Sequence, residues 1–172
     1  MKSLRELYRI GPGPSSSHTM GPSRAAGLYR KRTASRAISY RVTLHGSLAA
    51  TGKGHLTDRA IESSLLPLKC EIVWVPGREL PLHPNGMVFE AIDASGNSFD
   101  TWTVYSTGGG ALLDDSGMSD TPDVYPFDTM TGLLGRCDAE GKTLWNYAED
   151  CEGTGIMDYL RDVLGAMKNA ID

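Results

Sequence analysis

Cysteine is scarce in this chain of 172 residues, which contains three: Cys70, Cys137 and Cys151. An odd number without any C-x-x-C spacing favours reduced thiols over a disulfide framework. The closely spaced ligand pairs that are typical of zinc and iron–sulfur sites are also missing. We therefore predict that the chain itself binds no metal.

Positive charge and long apolar runs are also in short supply. Lys and Arg number 17 against 21 Asp and Glu, giving a formal net charge of −4. Nucleic acids and anionic membranes favour a basic face, so neither is expected as a partner. No apolar run approaches the roughly 20 residues that cross a bilayer, and a short amphipathic segment follows Met1 where a signal peptide would be apolar. We expect a cytoplasmic protein.

The hydrophobic pattern predicts an α+β fold. Residues 38–44 alternate between apolar and polar, which indicates a half-buried strand, and residues 57–66 have the pattern of a helix that ends at Pro67. The apolar run at residues 70–75 predicts a further strand, which we place centrally in the sheet. The expected architecture is a mostly antiparallel or mixed sheet flanked by helices.

An apolar stripe at helical spacing runs from Ile156 to Ile171. It predicts an amphipathic helix that forms a contact surface. We accordingly divide the chain into a domain over residues 1–153 and a C-terminal helix over residues 154–172, with a length that suits one well-packed core.

Residues 13–22 place three serines, a histidine and a threonine between Pro/Gly breaks, directly before a predicted helix. Free N–H groups at a helix start, the helix dipole and neighbouring hydroxyls together suit a carboxylate or a phosphate. His18 adds a titratable donor. The alternative interpretation is a serine-rich cap on a helix that follows a flexible turn.

A second histidine, His55, lies at residues 52–58 between glycines and the pair Thr57 and Asp58. The glycines allow a ligand to approach closely, and the hydroxyl and carboxylate can orient the imidazole. Alternatively, His55 is a solvent-exposed loop residue and Thr57 or Asp58 caps the following helix.

A third segment, residues 83–87, contains Asn85, whose amide both donates and accepts hydrogen bonds. Asn85 with Gly86 is also a strong signal for a type I′ hairpin turn, which would explain both residues without a ligand. From the residues alone the turn interpretation is the stronger of the two.

Residues 13–26 resemble the N-terminal signature of iron–sulfur-dependent L-serine dehydratases, also called L-serine ammonia-lyases. Residues 52–58, residues 83–87 and the glycine run at residues 108–110 are similar to later segments of that family, in the same order. Its enzymes have a β part with this signature and an α part with the cysteines of a [4Fe–4S] cluster, on one chain or two. The chain resembles the β part, which is also similar to the allosteric substrate-binding domain of some 3-phosphoglycerate dehydrogenases.

The resemblance implies that L-serine loses water to give an enamine, which hydrolyses to pyruvate and ammonia. One iron of the cluster, bound by the α part, would act as a Lewis acid on the serine hydroxyl. The β part would be inactive alone and would provide His55 near the α-carbon as the catalytic histidine. The substrate-binding residues implied are Ser15, Ser16, Ser17, His18, Thr19, Thr57 and Asn85.

The implied partners are the α part, L-serine and a second copy of the chain, paired through exposed strand edges or the C-terminal helix. A rival interpretation is a stand-alone module that senses serine or a small anion without catalysis. The sequence leaves open whether the α part is a separate chain, which group is the base, and whether serine is preferred to threonine.

Overall fold

The computed structural model describes residues 1–118 and 123–171, and the chain divides into two compact units. Gly11–Ser119 form the first, which we call the sheet unit, and Met1–Ile10 with Asp120–Asp172 form the second, which we call the helical unit. The boundary predicted between residues 153 and 154 stays a prediction.

The described residues form helices in both units, and they form strands and a π-helical turn in the sheet unit. In chain order they are α1 (Leu4–Leu7), the π-helical turn (Ser16–Met20), α2 (Gly21–Thr33), β1 (Ser39–His45), α3 (Gly46–Thr51), α4 (Thr57–Leu65), β2 (Lys69–Val75), β3 (Gly86–Ile92), β4 (Ser98–Gly108), β5 (Ala111–Asp114), β6 (Gly117–Met118), α5 (Met130–Glu140), α6 (Leu144–Glu152) and α7 (Ile156–Asn169).

The sheet unit contains a six-stranded sheet in the order β2-β1-β3-β4-β5-β6. β1 and β2 are parallel, and each of the other neighbouring pairs is antiparallel. The predicted α+β fold with a mixed sheet is therefore confirmed. The similarity to the substrate-binding domain of 3-phosphoglycerate dehydrogenases stays a prediction.

The central placement of the strand at residues 70–75 was wrong, because β2 lies at the edge of the sheet. Glu71, which interrupts the apolar run, is exposed and forms an ion pair at 2.8 Å with Arg41 on β1. Cys70, Ile72 and Trp74 on the opposite face are only partly buried against the core. A short apolar run alone does not separate a central strand from an edge strand with one covered face.

The core of the sheet unit lies between α2 and the sheet. Ala25 and Ala26 are fully buried, and their small side chains let the helix approach the strands closely. Tyr29, one turn later, contacts the rings of Phe89 and Trp102 at centroid distances of 5.3 and 6.2 Å. Its hydroxyl donates to the carbonyl of Asp100 at 2.7 Å, so burial leaves no unpaired donor there.

The helical unit is held together by Glu152 at the end of α6. Its carboxylate accepts hydrogen bonds from Ser3 Oγ at 2.5 Å, from the backbone N–H of Leu4 at 2.6 Å and from Tyr125 Oη at 2.8 Å. Three donors stabilise the ionised form, and the pKa of Glu152 is lowered although burial opposes this. The contacts fix α1 against α6.

α7 follows the apolar stripe predicted from the sequence. Ile156 and Val163 are buried, whereas Leu164 and Met167 on the same helix are half exposed. Among the helices of the described residues, none has the length and apolar character to cross a membrane.

Two adjacent leucines at the end of α4 allow a matched test of the core. Leu65 is 0% exposed and Leu66 is 59% exposed. We expect Leu65→Ala to lower the free energy of unfolding by about 2–5 kcal/mol, since it leaves a cavity. Leu66→Ala should change it by about 0.5 kcal/mol at most. Urea denaturation measures both, and equal losses would contradict the assigned burial.

Candidate functional site

Ser15 organises the serine-rich loop. Its backbone is extended, and its Oγ accepts a hydrogen bond from the N–H of His18 at 3.1 Å. Its carbonyl accepts from the N–H groups of Thr19 and Met20 at 2.9 and 3.0 Å. The chain then winds through the π-helical turn into α2, which begins at Gly21. The serines are thus partly a cap, as the alternative interpretation expected, and partly the support of His18.

Both ring nitrogens of His18 meet hydroxyl groups. Nδ1 lies 2.9 Å from Ser17 Oγ, and Nε2 lies 3.2 Å from Ser47 Oγ at the start of α3. Burial lowers the pKa of His18, and the neighbouring His55 lowers it further. A pKa below the ordinary 6.5 keeps the imidazole neutral at pH 7.

His55 lies next to His18, with ring centroids 4.9 Å apart and ring planes inclined at 41°. Its Nδ1 lies 3.0 Å from the carbonyl oxygen of Thr51. A carbonyl only accepts, so this contact places the proton on Nδ1. In the neutral form of the ring Nε2 carries the lone pair, and no hydrogen bond within the described residues engages it. His55 therefore has the form of a general base.

Two threonine hydroxyls tie the histidine segments together. Thr19 Oγ1 donates to the carbonyl of His55 at 2.7 Å, and Thr57 Oγ1 donates to the carbonyl of His18 at 2.5 Å. Both threonines are buried. The expectation that Thr57 caps the following helix was therefore wrong: the N-cap of α4 is Leu56, in the left-handed region with φ of 57°.

The glycine run at residues 108–110 lies against the serine-rich loop. The N–H of Gly109 donates to Ser16 Oγ at 3.3 Å, and Arg24 donates to the carbonyl of Gly110 at 3.0 Å. All three glycines have positive φ, which lets the chain turn sharply between β4 and β5. The glycine run is thus hydrogen-bonded both to Ser16 in the loop and to Arg24 on α2.

Asn85 is buried and bonds to β4. Its side-chain Nδ2 donates to the backbone carbonyl of Ser106 at 3.1 Å, and its own backbone carbonyl accepts from the N–H of Ser106 at 3.0 Å. Neither Asn85 nor Gly86 has the positive φ of a type I′ turn, so the hairpin interpretation was wrong. Asn85 directly precedes β3, and it contacts Ser106, which in turn lies against Gly21.

Ser106 and Gly21 touch where the π-helical turn becomes α2. A Cβ on Gly21 would lie 2.1 Å from Ser106 Oγ and 3.0 Å from Ser106 Cβ, so only glycine fits. Ser106 is fully buried, and its hydroxyl has no hydrogen-bond partner in the described part of the chain. This close contact sets the distance between the serine-rich loop and β4.

The structure thus brings together Ser15, Ser17, His18, Thr19, His55 and Thr57, and it places Ser16 and Asn85 in the supporting contacts around them. Sequence reasoning missed Ser47 and Thr51, which orient the two imidazoles. Both lie on α3, and nothing in their residue types indicates that a hydroxyl or a carbonyl there would meet an imidazole.

Metal ligands are not gathered at this site. In the regions that the structure describes, no group of three or more His, Cys, Asp or Glu side chains could hold a metal ion. All three cysteines are free thiols. Burial, with Glu62 and Glu71 nearby, raises the pKa of Cys70 to about 12, so its thiolate is strongly disfavoured.

Comparison with known proteins relates the chain to one family. The family model described as "Serine dehydratase beta chain" matches residues 3–75 and 62–117. L-serine dehydratase 1 of Escherichia coli K12 is 32% identical over 100% of this chain and 49% of its own length. The L-serine dehydratase of Streptomyces coelicolor is 35% identical over 77% of this chain and 39% of its own. The chain spans about half the length of these relatives, or less.

The coupling between the two imidazoles predicts how His18 titrates. We expect its ring signals in proton NMR to titrate below pH 6.5, because burial and His55 both disfavour the imidazolium. His55→Gln should raise the pKa of His18, since the neighbouring charge is gone, but leave it below 6.5, since burial remains the larger cause. His83→Gln is the control and should leave the titration unchanged. A midpoint at or above the ordinary value would contradict the geometry.

The contact between Gly21 and Ser106 predicts a coupled pair of substitutions. Gly21→Ala should lower the free energy of unfolding by about 1–3 kcal/mol through overpacking. In a Ser106→Gly background the same substitution should cost less, because the obstructing Cβ and Oγ are absent. Denaturation of the four proteins gives the interaction energy. Simple additivity of the two costs would show that the residues do not touch.

Proposed function

This chain belongs to the serine dehydratase beta chain family, and we propose that it is the β part of an L-serine dehydratase, which converts L-serine to pyruvate and ammonia. The observation that carries the proposal is the His18–His55 pair, built by the two segments that resemble the family signature. His55, the hydroxyl-bonded His18 and the π-helical turn beside them could contact an amino-acid substrate.

His55 is proposed as the base that takes the α-proton of L-serine. Its Nδ1 is held by the Thr51 carbonyl, so Nε2 is left to accept a proton. The imidazolium that forms lies 4.9 Å from the ring of His18. Because the pKa of His18 is lowered, His18 stays neutral and does not repel the new charge. Loss of the α-proton and of the β-hydroxyl as water leaves the enamine, which water converts to pyruvate and ammonia.

The substrate carboxylate is proposed to bind at the π-helical turn. The N–H groups of Ser16 and Ser17 begin the turn and have no partner within it, so they are available to an anion. The hydroxyls of Ser15 and Ser17 form hydrogen bonds within the loop, and Thr19 Oγ1 donates to the carbonyl of His55. These contacts shape the start of the π-helical turn. Two further residues support the binding indirectly: Thr57 holds the carbonyl of His18, and Asn85 holds Ser106.

A [4Fe–4S] cluster does not fit the residues that the structure describes. In the described residues no group of three or more His, Cys, Asp or Glu side chains could hold a metal ion, and the three cysteines are free thiols. No step in this chain is therefore routed through a cluster, and we propose that an α part binds it.

The α part and L-serine are then the partners. A second copy of the chain, paired through an open strand edge such as β2, is also proposed.

Reconstitution tests the function. We expect anaerobic mixing of the chain with a cluster-bearing α partner to produce pyruvate from L-serine. His55→Gln should lower kcat by about 100- to 10,000-fold, the usual contribution of a general base. Lys53→Gln alters an exposed neighbour in the same loop and should leave kcat unchanged.

Two outcomes would contradict the proposal. Full activity of His55→Gln would exclude His55 as the base. Binding of L-serine by the chain alone, with no activity from any cluster-bearing partner, would favour the sensing module in its place.

A further inference from the structure

A cavity of about 320 Å³ lies between the serine-rich loop and α4, which we call the α4 groove. Pro12, Gly13 and Thr19 line it on the loop side, and Arg59 and Ser63 line it on the helix side. Neither His18 nor His55 is part of its lining. The volume is at the lower end of the range for small-ligand sites, about 300–1,000 Å³. The groove thus excludes both imidazoles, but its lining includes Thr19 and Leu56, which follow His18 and His55 in the chain.

The donors in the α4 groove point to an anion. Arg59 is exposed, and its guanidinium has neither an ion pair nor a hydrogen bond within the described residues. Ser63 follows one helical turn later, so both side chains lie on the same face of α4. Its hydroxyl is also without a partner in the described ranges. No acidic side chain is among the residues that line the groove.

The floor of the α4 groove is already satisfied and rigid. Ser64 Oγ donates to the carbonyl of Ala60 at 2.9 Å, so it accepts from Ser23 Oγ, which also lies at 2.9 Å. This pair links α2 to α4 and has no proton left for a ligand. The available donors are thus Arg59 and Ser63, at the open side.

We propose that the α4 groove is a second ligand site, which binds a small oxyanion, a carboxylate or a phosphate, through Arg59 and Ser63. The planar guanidinium matches such anions in a bidentate geometry, and the adjacent hydroxyl adds a third hydrogen bond. The site goes beyond the proposed function, since it needs neither the α part nor the histidines. Thr19 lines the groove and also holds the carbonyl of His55, so a ligand here contacts a residue that positions the base.

Titration of the full chain by ¹H–¹⁵N NMR tests the site. Sodium phosphate and sodium acetate are added in separate arms at constant ionic strength, with sodium chloride as the blank. We expect saturable shifts at the amides of Arg59, Ala60 and Ser63, in the phosphate arm, the acetate arm or both. Arg59→Gln should weaken binding about tenfold, as expected for a charge-assisted hydrogen bond.

Two variants keep the result interpretable. Arg161→Gln removes the same charge from an exposed position on α7 and should leave the dissociation constant unchanged. Ser63→Ala should weaken binding less than Arg59→Gln, since it removes a neutral donor. Shifts that match the chloride blank, or binding that survives Arg59→Gln, would overturn the proposal. So would shifts confined to His18 and His55, which would place the anion at the histidine pair. None of these results depends on dehydratase activity.

Discussion

The candidate site depends on one crossed pair of hydrogen bonds. Thr19 and Thr57 each donate to the carbonyl of the histidine on the other segment, across 36 and 39 residues of sequence. Both threonines are buried, and each of these partly buried hydrogen bonds contributes about 0.5–1.5 kcal/mol. The two histidine segments are therefore locked to each other before any ligand arrives, and the 4.9 Å ring separation follows from this lock.

Pro84 and Asn85, just before β3, connect the two histidine segments to the sheet. The carbonyl of Pro84 accepts from the N–H of Ser47, whose hydroxyl holds His18. Gly46, with φ of +51°, makes this possible, because a Cβ there would lie 2.4 Å from the same carbonyl. Asn85, the next residue, pairs with Ser106 beneath Gly21. One short segment thus positions both α3 and the start of α2.

Sequence patterns predicted the mixed sheet and the helices after each histidine segment, because these depend on local periodicity. The choice of His18 and His55 came from the resemblance of their segments to a known family, and their roles stay a prediction. Patterns did not predict that β2 is an edge strand, since strand order is a property of long-range packing. They assigned Thr57 to a helix cap, where its hydroxyl oxygen would accept from a backbone N–H, but the hydroxyl instead donates to a carbonyl on a distant segment. Ser47 and Thr51 were missed for the same reason: small residues acquire roles only when the fold brings an imidazole to them.

The electrostatics of the site favour one proton acceptor over two. Two imidazoles at this distance cannot both be charged cheaply, and burial, together with the neighbouring His55, lowers the pKa of His18. His18 is also held by hydroxyls at both nitrogens, whereas His55 is held at Nδ1 alone. The two rings are therefore not equivalent: one has its hydrogen bonds filled and its charge suppressed, and the other keeps a free lone pair. That asymmetry is what an abstracting base requires, because a proton taken by Nε2 of His55 meets a neutral neighbour.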